Sequence, residues 1–154
     1  MTFEEVQRAV FDLLVTDAEV AGELADQRDL NGSAVPGVPA IYDHVPQPGD
    51  GSDDSWFPYL TIGEIEFTEW DTDDSLGFDA EVTVHVWSRE FGRQEARRIQ
   101  GKVYSALHRS DLAVDDHNVI TVDQAFCEVT VDPDGKTRHG IQRFRVILER
   151  VEGE

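Results

Sequence analysis

Thirty-two acidic side chains, five histidines (His44, His85, His108, His117 and His139) and one cysteine, Cys127, are the groups with which this 154-residue chain could bind a metal or do acid–base or nucleophilic chemistry. Their spacing argues against each. The run Asp71-x-Asp73-x-Ser75 starts like a calcium loop, but the sixth position is Leu76 instead of glycine and the twelfth is Val82 instead of glutamate. A solvated acidic hairpin is the expectation there. The histidines show no HxH or HExxH pairing and Cys127 has no CxxC partner, so no metal site is expected. There is no GxSxG elbow, and Cys127 falls mid-strand among Ala125, Val129 and Val131, where a small buried hydrophobe is expected. No glycine-rich phosphate loop follows a strand, and nothing singles out one pair of carboxylates. The chain reads as a non-enzyme with no catalytic residue, cofactor or metal.

Two groups of residues remain. His85 and Trp87 are two apart on one strand, opposite a row of valines. A tryptophan on that nominally polar face needs cover, from a second helix, from a long loop or from a neighbouring subunit. Arg143 and Arg145 also share a strand face, late bases in an acidic chain with Arg138 just before them. They would find acids across the sheet or on another subunit.

The charge excludes more than it assigns. Thirteen bases against thirty-two acids leave a net of -19, and only Lys102 and Lys136 are lysines. A nucleic-acid grip needs clustered bases to displace counterions, which this chain lacks. An acidic, lysine-poor surface suits a protein from a high-salt host or its virus. It also suits a lumen past which DNA must slide without sticking. No apolar run approaches the roughly 18 residues of a membrane span, and the acidic start Met1-Thr2-Phe3-Glu4-Glu5 is unlike a signal peptide.

The elements that would carry these residues can be placed by period. Thr2 with Glu5 forms a capping box for a first helix whose Phe3, Val6, Val10, Leu13 and Leu14 share one face. Thr16 with Glu19 restarts a short second one carrying Val20 and Leu24. Residues 31–57 read as a long loop in which only Ala40-Ile41-Tyr42-Asp43 could pair as a strand, and such a loop is a first place to look for partner contacts. From Pro58 to Trp70 the apolar parity switches at Gly63, from Leu60 and Ile62 to Ile65 and Phe67, which predicts a β-bulge. Phe78, Ala80, Val82, Val84 and Val86 alternate cleanly as a second strand after a tip at 71–77. A helix follows over about 92–109, with Ala96, Ile99, Val103, Ala106 and Leu107 inward. Strands over 119–131 and about 137–151 flank the turn Asp132-Pro133-Asp134-Gly135. The prediction is one α+β domain over residues 1–154, a mostly antiparallel four-stranded sheet with two main helices on one face.

The ordered fragments resemble a known family. They are Ile41-Tyr42-Asp43-His44-Val45-Pro46, Phe57-Pro58-Tyr59-Leu60-Thr61-Ile62-Gly63-Glu64, Val84-His85-Val86-Trp87-Ser88, Gly92-Arg93-Gln94-Glu95-Ala96, and Asp132-Pro133-Asp134-Gly135-Lys136-Thr137-Arg138-His139-Gly140 before Arg143-Phe144-Arg145. Together they are similar to the tail-completion or tail-terminator proteins of long-tailed viruses and gene transfer agents. The resemblance implies a structural virion protein: a hexameric ring subunit at the neck that caps the tail tube, ends its polymerisation and meets the head-side connector, with DNA passing through its lumen. Such a ring needs two unlike faces on each subunit. Trp56, Phe57, Asp71, Asp73, Asp74, His85, Trp87, Arg143 and Arg145 are the candidate interface residues. A head-side neck ring protein is the nearest alternative, and an acidic DNA-mimic inhibitor or a small enzyme is one from a different class. The Asp-rich insert at 49–55 departs from the family pattern.

Overall fold

The computed structural model describes residues 4–44, 46, 54–71 and 76–151. Helix α1 (Glu4–Thr16) buries Val6, Ala9, Val10 and Leu14, and a short α2 (Ala18–Ala21) buries Val20. Strands β1 (Asp26–Arg28) and β2 (Ala34–Pro39) form a separate hairpin. The main sheet holds β3 (Ile41–Tyr42), β4 (Tyr59–Asp71), β5 (Leu76–Ser88), β6 (His117–Val131) and β7 (Arg138–Arg150), in the order β3-β4-β5-β7-β6. A 3-10 turn (Asp54–Trp56) precedes β4, and α3 (Gln94–Leu107) joins β5 to β6.

The α+β expectation therefore holds, but the sheet is five-stranded and mixed. The fifth strand is β3, which pairs parallel to β4 through Ile41 with Leu60 and Tyr42 with Thr61. Residues 40–43 could pair on sequence grounds, but with only two residues paired they carry no pattern that shows which strand they join.

Packing follows the period of each element. The even residues of β5, from Phe78 to Val86, face the helices, opposite Leu148, Val146 and Phe144 of β7. Helix α3 lays Ala96, Ile99, Val103 and Leu107 on that face, and α1 adds its own stripe. One polar thread crosses this core. Gln142 is wholly buried, and its amide donates to the Gln100 carbonyl of α3 at 3.0 Å and to Gln124 Oε1 at 2.7 Å. Gln100 in turn donates to the Glu128 carbonyl at 2.9 Å. These bonds pin α3 to β6 and β7 in one register, because slipping would leave buried amides unpaired. Gly140 makes the crossing possible: a Cβ there would stand 2.7 Å from Gln100 Nε2.

The predicted bulge lies where the parity switched. Pairing of β4 with β5 jumps between Ile62 and Ile65. The turn at 132–135 is also as expected: Gly135 takes φ 72°, and the Asp132 N–H donates to the Thr137 carbonyl at 2.8 Å. The Thr137 N–H and hydroxyl and the Lys136 N–H all donate to Asp134, which holds its carboxyl down at about 2.

Three local expectations fail. The short α2 is capped by Asp17, whose Oδ1 accepts from the Glu19 and Val20 N–H groups, and not by Thr16, whose hydroxyl instead donates back to the Asp12 carbonyl at 2.7 Å. Residues 31–57 are not one loop: β3 lies on the stretch expected to pair, but β2 and the 3-10 turn lie within them as well. Pro36, Gly37 and Pro39 disguise β2, an edge strand on which missing N–H groups cost little. Cys127 is exposed, not buried, because β6 is the outer strand and α3 leaves its middle uncovered. The capping box at Thr2 lies outside the described residues, as do Asp73 and Asp74.

Candidate functional site

Helices cover one face of the sheet; the other face carries the odd-numbered residues of β5 and β7. There the register sets Trp87 opposite His139, His85 opposite Ile141, and Thr83 opposite Arg143. Tyr59 and Thr61 of β4 lie across from Trp87 and His85. Cross-strand neighbours stand about 5 Å apart, so flat rings on this row must stack.

They do so as a continuous row. Trp87 lies on His139 at 3.9 Å between centroids and 9° between planes. Tyr59 follows at 6.2 Å from Trp87, and Phe57 at 5.0 Å from Tyr59. Trp87 Nε1 donates to the Thr61 hydroxyl at 3.1 Å, so the indole is satisfied as well as covered. Arg89 closes the Phe57 end, 4.5 Å above that ring, and pairs with Asp54 at 2.8 Å. Cover for Trp87 thus comes from neighbouring aromatics of its own chain, with Phe57 supplied by the segment before β4 and no helix on this face.

At the other end, His85 Nδ1 and His139 Nε2 lie 2.7 Å apart. Glu64 approaches the far nitrogen of His85 at 3.5 Å, and Asp132 that of His139 at 3.8 Å. Only one of the two facing nitrogens can carry a proton, since two N–H groups cannot meet head-on. Burial, then the neighbouring His85, holds His139 below the ordinary histidine value. Hydrogen bonding to its own backbone N–H, with help from His85, lowers Glu64. Burial drives the Tyr59 hydroxyl up to about 12. Gly63 at the bulge makes room for this pair, because a Cβ there would meet His85 Nε2 at 2.6 Å. The bulge thus serves the ring row directly.

The other candidate residues are placed as follows. Arg145 is bound to Asp79 through Nε at 2.8 Å and through a second, shorter contact from Nη2. Arg143 sits 3.8 Å from Glu81 and 4.9 Å above the Phe126 ring. Both arginines are therefore spent within their own sheet. Trp56 is buried in the 3-10 turn beneath Arg28, away from the ring row. Asp71 ends β4 opposite Leu76. His139, Tyr59 and Thr61 are the members that spacing along the chain did not single out.

Among the described residues of this face no serine, threonine or cysteine side chain is hydrogen-bonded to either ring of the histidine pair. Among the described residues no three His, Cys, Asp or Glu side chains gather as a metal site. No helix of the described chain is long and apolar enough to cross a membrane.

The sequence model of a family described as tail completion protein gp17 matches residues 8–149. The tail completion protein gp17 of Bacillus phage SPP1 is 33% identical over 98 residues, which are 64% of this chain and 72% of that protein. A chain from the virion of a native gene transfer agent particle has the same fold, with a TM-score of 0.72 over 93% of both chains at 21% identity.

Proposed function

This chain belongs to the tail completion protein gp17 family, and from that premise we propose that it is a structural virion protein, a ring subunit that caps the tail tube and joins it to the head-side connector. The observation that carries this is the family match over residues 8–149, which takes in most of α1, all of α2 and α3, and the main sheet up to Glu149 of β7. Two further features support it. The aromatic row packs a sheet face on which no helix of the described residues lies, a flat surface of the kind a scaffold can present. The two lateral edges of the sheet, β3 and β6, are unlike each other, which suits the heterologous contacts of a closed ring. In this reading residues 1–154 act as one domain, six copies close the ring, and DNA crosses the lumen unbound.

The test is growth of tail tube from purified tube protein with and without this chain. With it, tubes should stop at short, narrow lengths and carry a six-fold ring at one end in electron micrographs. Tubes that lengthen equally in both samples, with this chain left in the supernatant, would refute the capping role.

The net charge of -19 supports a high-salt setting. Screening shortens from about 10 Å at 0.1 M to about 3 Å at 1 M salt, which relieves self-repulsion among acids on the surface. The melting temperature should therefore climb as sodium chloride is raised over that range; a flat response would argue against a halophilic origin.

A further inference from the structure

Leu30 is fully exposed, at 105% of its reference area, at the tip of the β1–β2 hairpin. Single exposed apolar side chains are common and mean little alone. This one is held out by a braced turn. Asp29 Oδ1 accepts from the Asn31 and Ser33 N–H groups at 2.9 and 3.0 Å, and the Asp29 N–H donates to the Ser33 carbonyl at 2.9 Å. Gly32 turns the chain at φ 81°. Arg28 braces the turn from below, donating to the Gly32 carbonyl at 3.1 Å and to Ser55 at 2.9 Å, with its guanidinium over Trp56. The tip is therefore a fixed knob.

A groove of about 790 Å³ lies at the opposite edge of the sheet, between α3 and the uncovered middle of β6. Arg97, Gly101 and Tyr104 stand on its helix wall, and Cys127, Glu128 and Val129 on its strand wall. Gly101 leaves that wall open, since a Cβ there would touch nothing within 4 Å. The knob hangs on the β3 edge, through the Arg28 N–H to Tyr42 Oη at 3.0 Å and the Ala25 N–H to the Pro58 carbonyl at 3.0 Å. The groove lies at the β6 edge, with β4, β5 and β7 between them. A knob cannot reach the groove of its own chain across three strands, but it can reach a neighbour's.

Charge agrees with that direction. The groove holds two charged side chains, Arg97 and Glu128, and Arg97, like Arg28, Arg93, Arg138 and Arg150, has no ion pair among the described residues, which leaves its guanidinium open to an acid from another copy. Asp29, beside the knob, keeps one carboxylate oxygen outside its turn. Strand addition to β6 is disfavoured, because its pairing with β7 shifts register at Val119/Thr121 and at Gln124/Phe126. What β6 can accept is a side chain.

Resting on the ring reading above, we propose that Leu30 of each copy docks in the α3–β6 groove of the next copy, beside Tyr104, Cys127 and Val129, with Asp29 facing Arg97. The contact runs head to tail, so it repeats around a ring without a two-fold axis.

The single cysteine makes this testable. In Leu30→Cys chains assembled into tails, mild oxidation should link the new thiol to Cys127 of the neighbour and give a covalent ladder on denaturing gels. Wild-type chains and Val38→Cys, on the same hairpin, should give none. Leu30→Glu and Gly101→Trp should each keep the melting temperature of the free chain and lose their place in tails by at least about tenfold. Assembled Leu30→Cys chains without a ladder, or either bulky or charged variant assembling like wild type, would overturn the contact and leave the ring reading standing. A wild-type chain absent from tails would overturn both.

Discussion

Phe144→Ala is expected to lower the stability of the chain by roughly 3–5 kcal/mol, the loss found when a buried aromatic leaves a cavity that its surroundings cannot close. Phe144 is 1% exposed in β7, set between Val82 of β5 and Gln124 of β6, on the face that α3 covers. A domain of this size commonly holds about 5–15 kcal/mol in reserve, so one substitution would remove about a fifth of it at the least. The melting temperature should drop by roughly 10 °C. Its neighbours Arg143 and Arg145 point to the other face and make exposed ion pairs, so alanine at either should cost no more than about 1 kcal/mol. Thermal unfolding of the three variants reads the contrast directly. A Phe144→Ala chain melting within 2–3 °C of wild type would mean that β7 is not the inner strand described, since that shift corresponds to about 1 kcal/mol.

The second large effect is expected at Trp87. Alanine there removes the stack on His139, the contact with Tyr59 and the donation to Thr61. Because the indole is half-buried, the cost should be roughly 2–3 kcal/mol, below that of a wholly buried ring. Trp87→Phe keeps the stack and loses the hydrogen bond, at about 1 kcal/mol. A local readout accompanies these. Burial is the leading cause that depresses His139, so uncovering its ring in Trp87→Ala should move its titration upward, toward the ordinary value near 6.5. The sign for stability follows. A depressed histidine contributes fully above its unfolded value, and that contribution fades as pH falls through its folded value. Wild type should therefore weaken between about pH 7 and pH 5 more than Trp87→Ala or His139→Gln does. Denaturant midpoints at the two pH values, with the His139 ring followed by NMR, would show it. Equal acid sensitivity in all three chains would mean that the stacked pair does not govern acid stability.

What the sequence made legible were the long periodic elements. Valines at 82, 84 and 86 placed β5, the stripe from Ala96 to Leu107 placed α3, and the parity change at Gly63 placed the bulge. Each is a local pattern imposed by one buried face. The failures depended on what lies beside an element. Cys127 shares the composition of a core strand, but its exposure depends on β6 being the outermost of five. His139 meets Trp87 only because β5 pairs with β7, two strands separated along the chain by α3 and β6, so no turn fixes their register. The hairpin that presents Leu30 was hidden by prolines and a glycine in β2, which weaken strand propensity without preventing a short edge pairing. Two of the five rings in the row, His85 and Trp87, could be read along one strand; how they meet the others required knowledge of the neighbours.

The interruptions in β6 bear on the life of the free subunit. A long outer strand in unbroken step is a template onto which any identical strand can crystallise, and crowded newly made protein is where that happens. Two offsets within fifteen residues deny such a template more than a short matching run. Unassembled copies can therefore accumulate as a quiet reservoir, waiting for a shaped surface instead of condensing on one another. In the proposed ring, a copy already in place is equally sterile as a seed, which suits a part that must be the last one added.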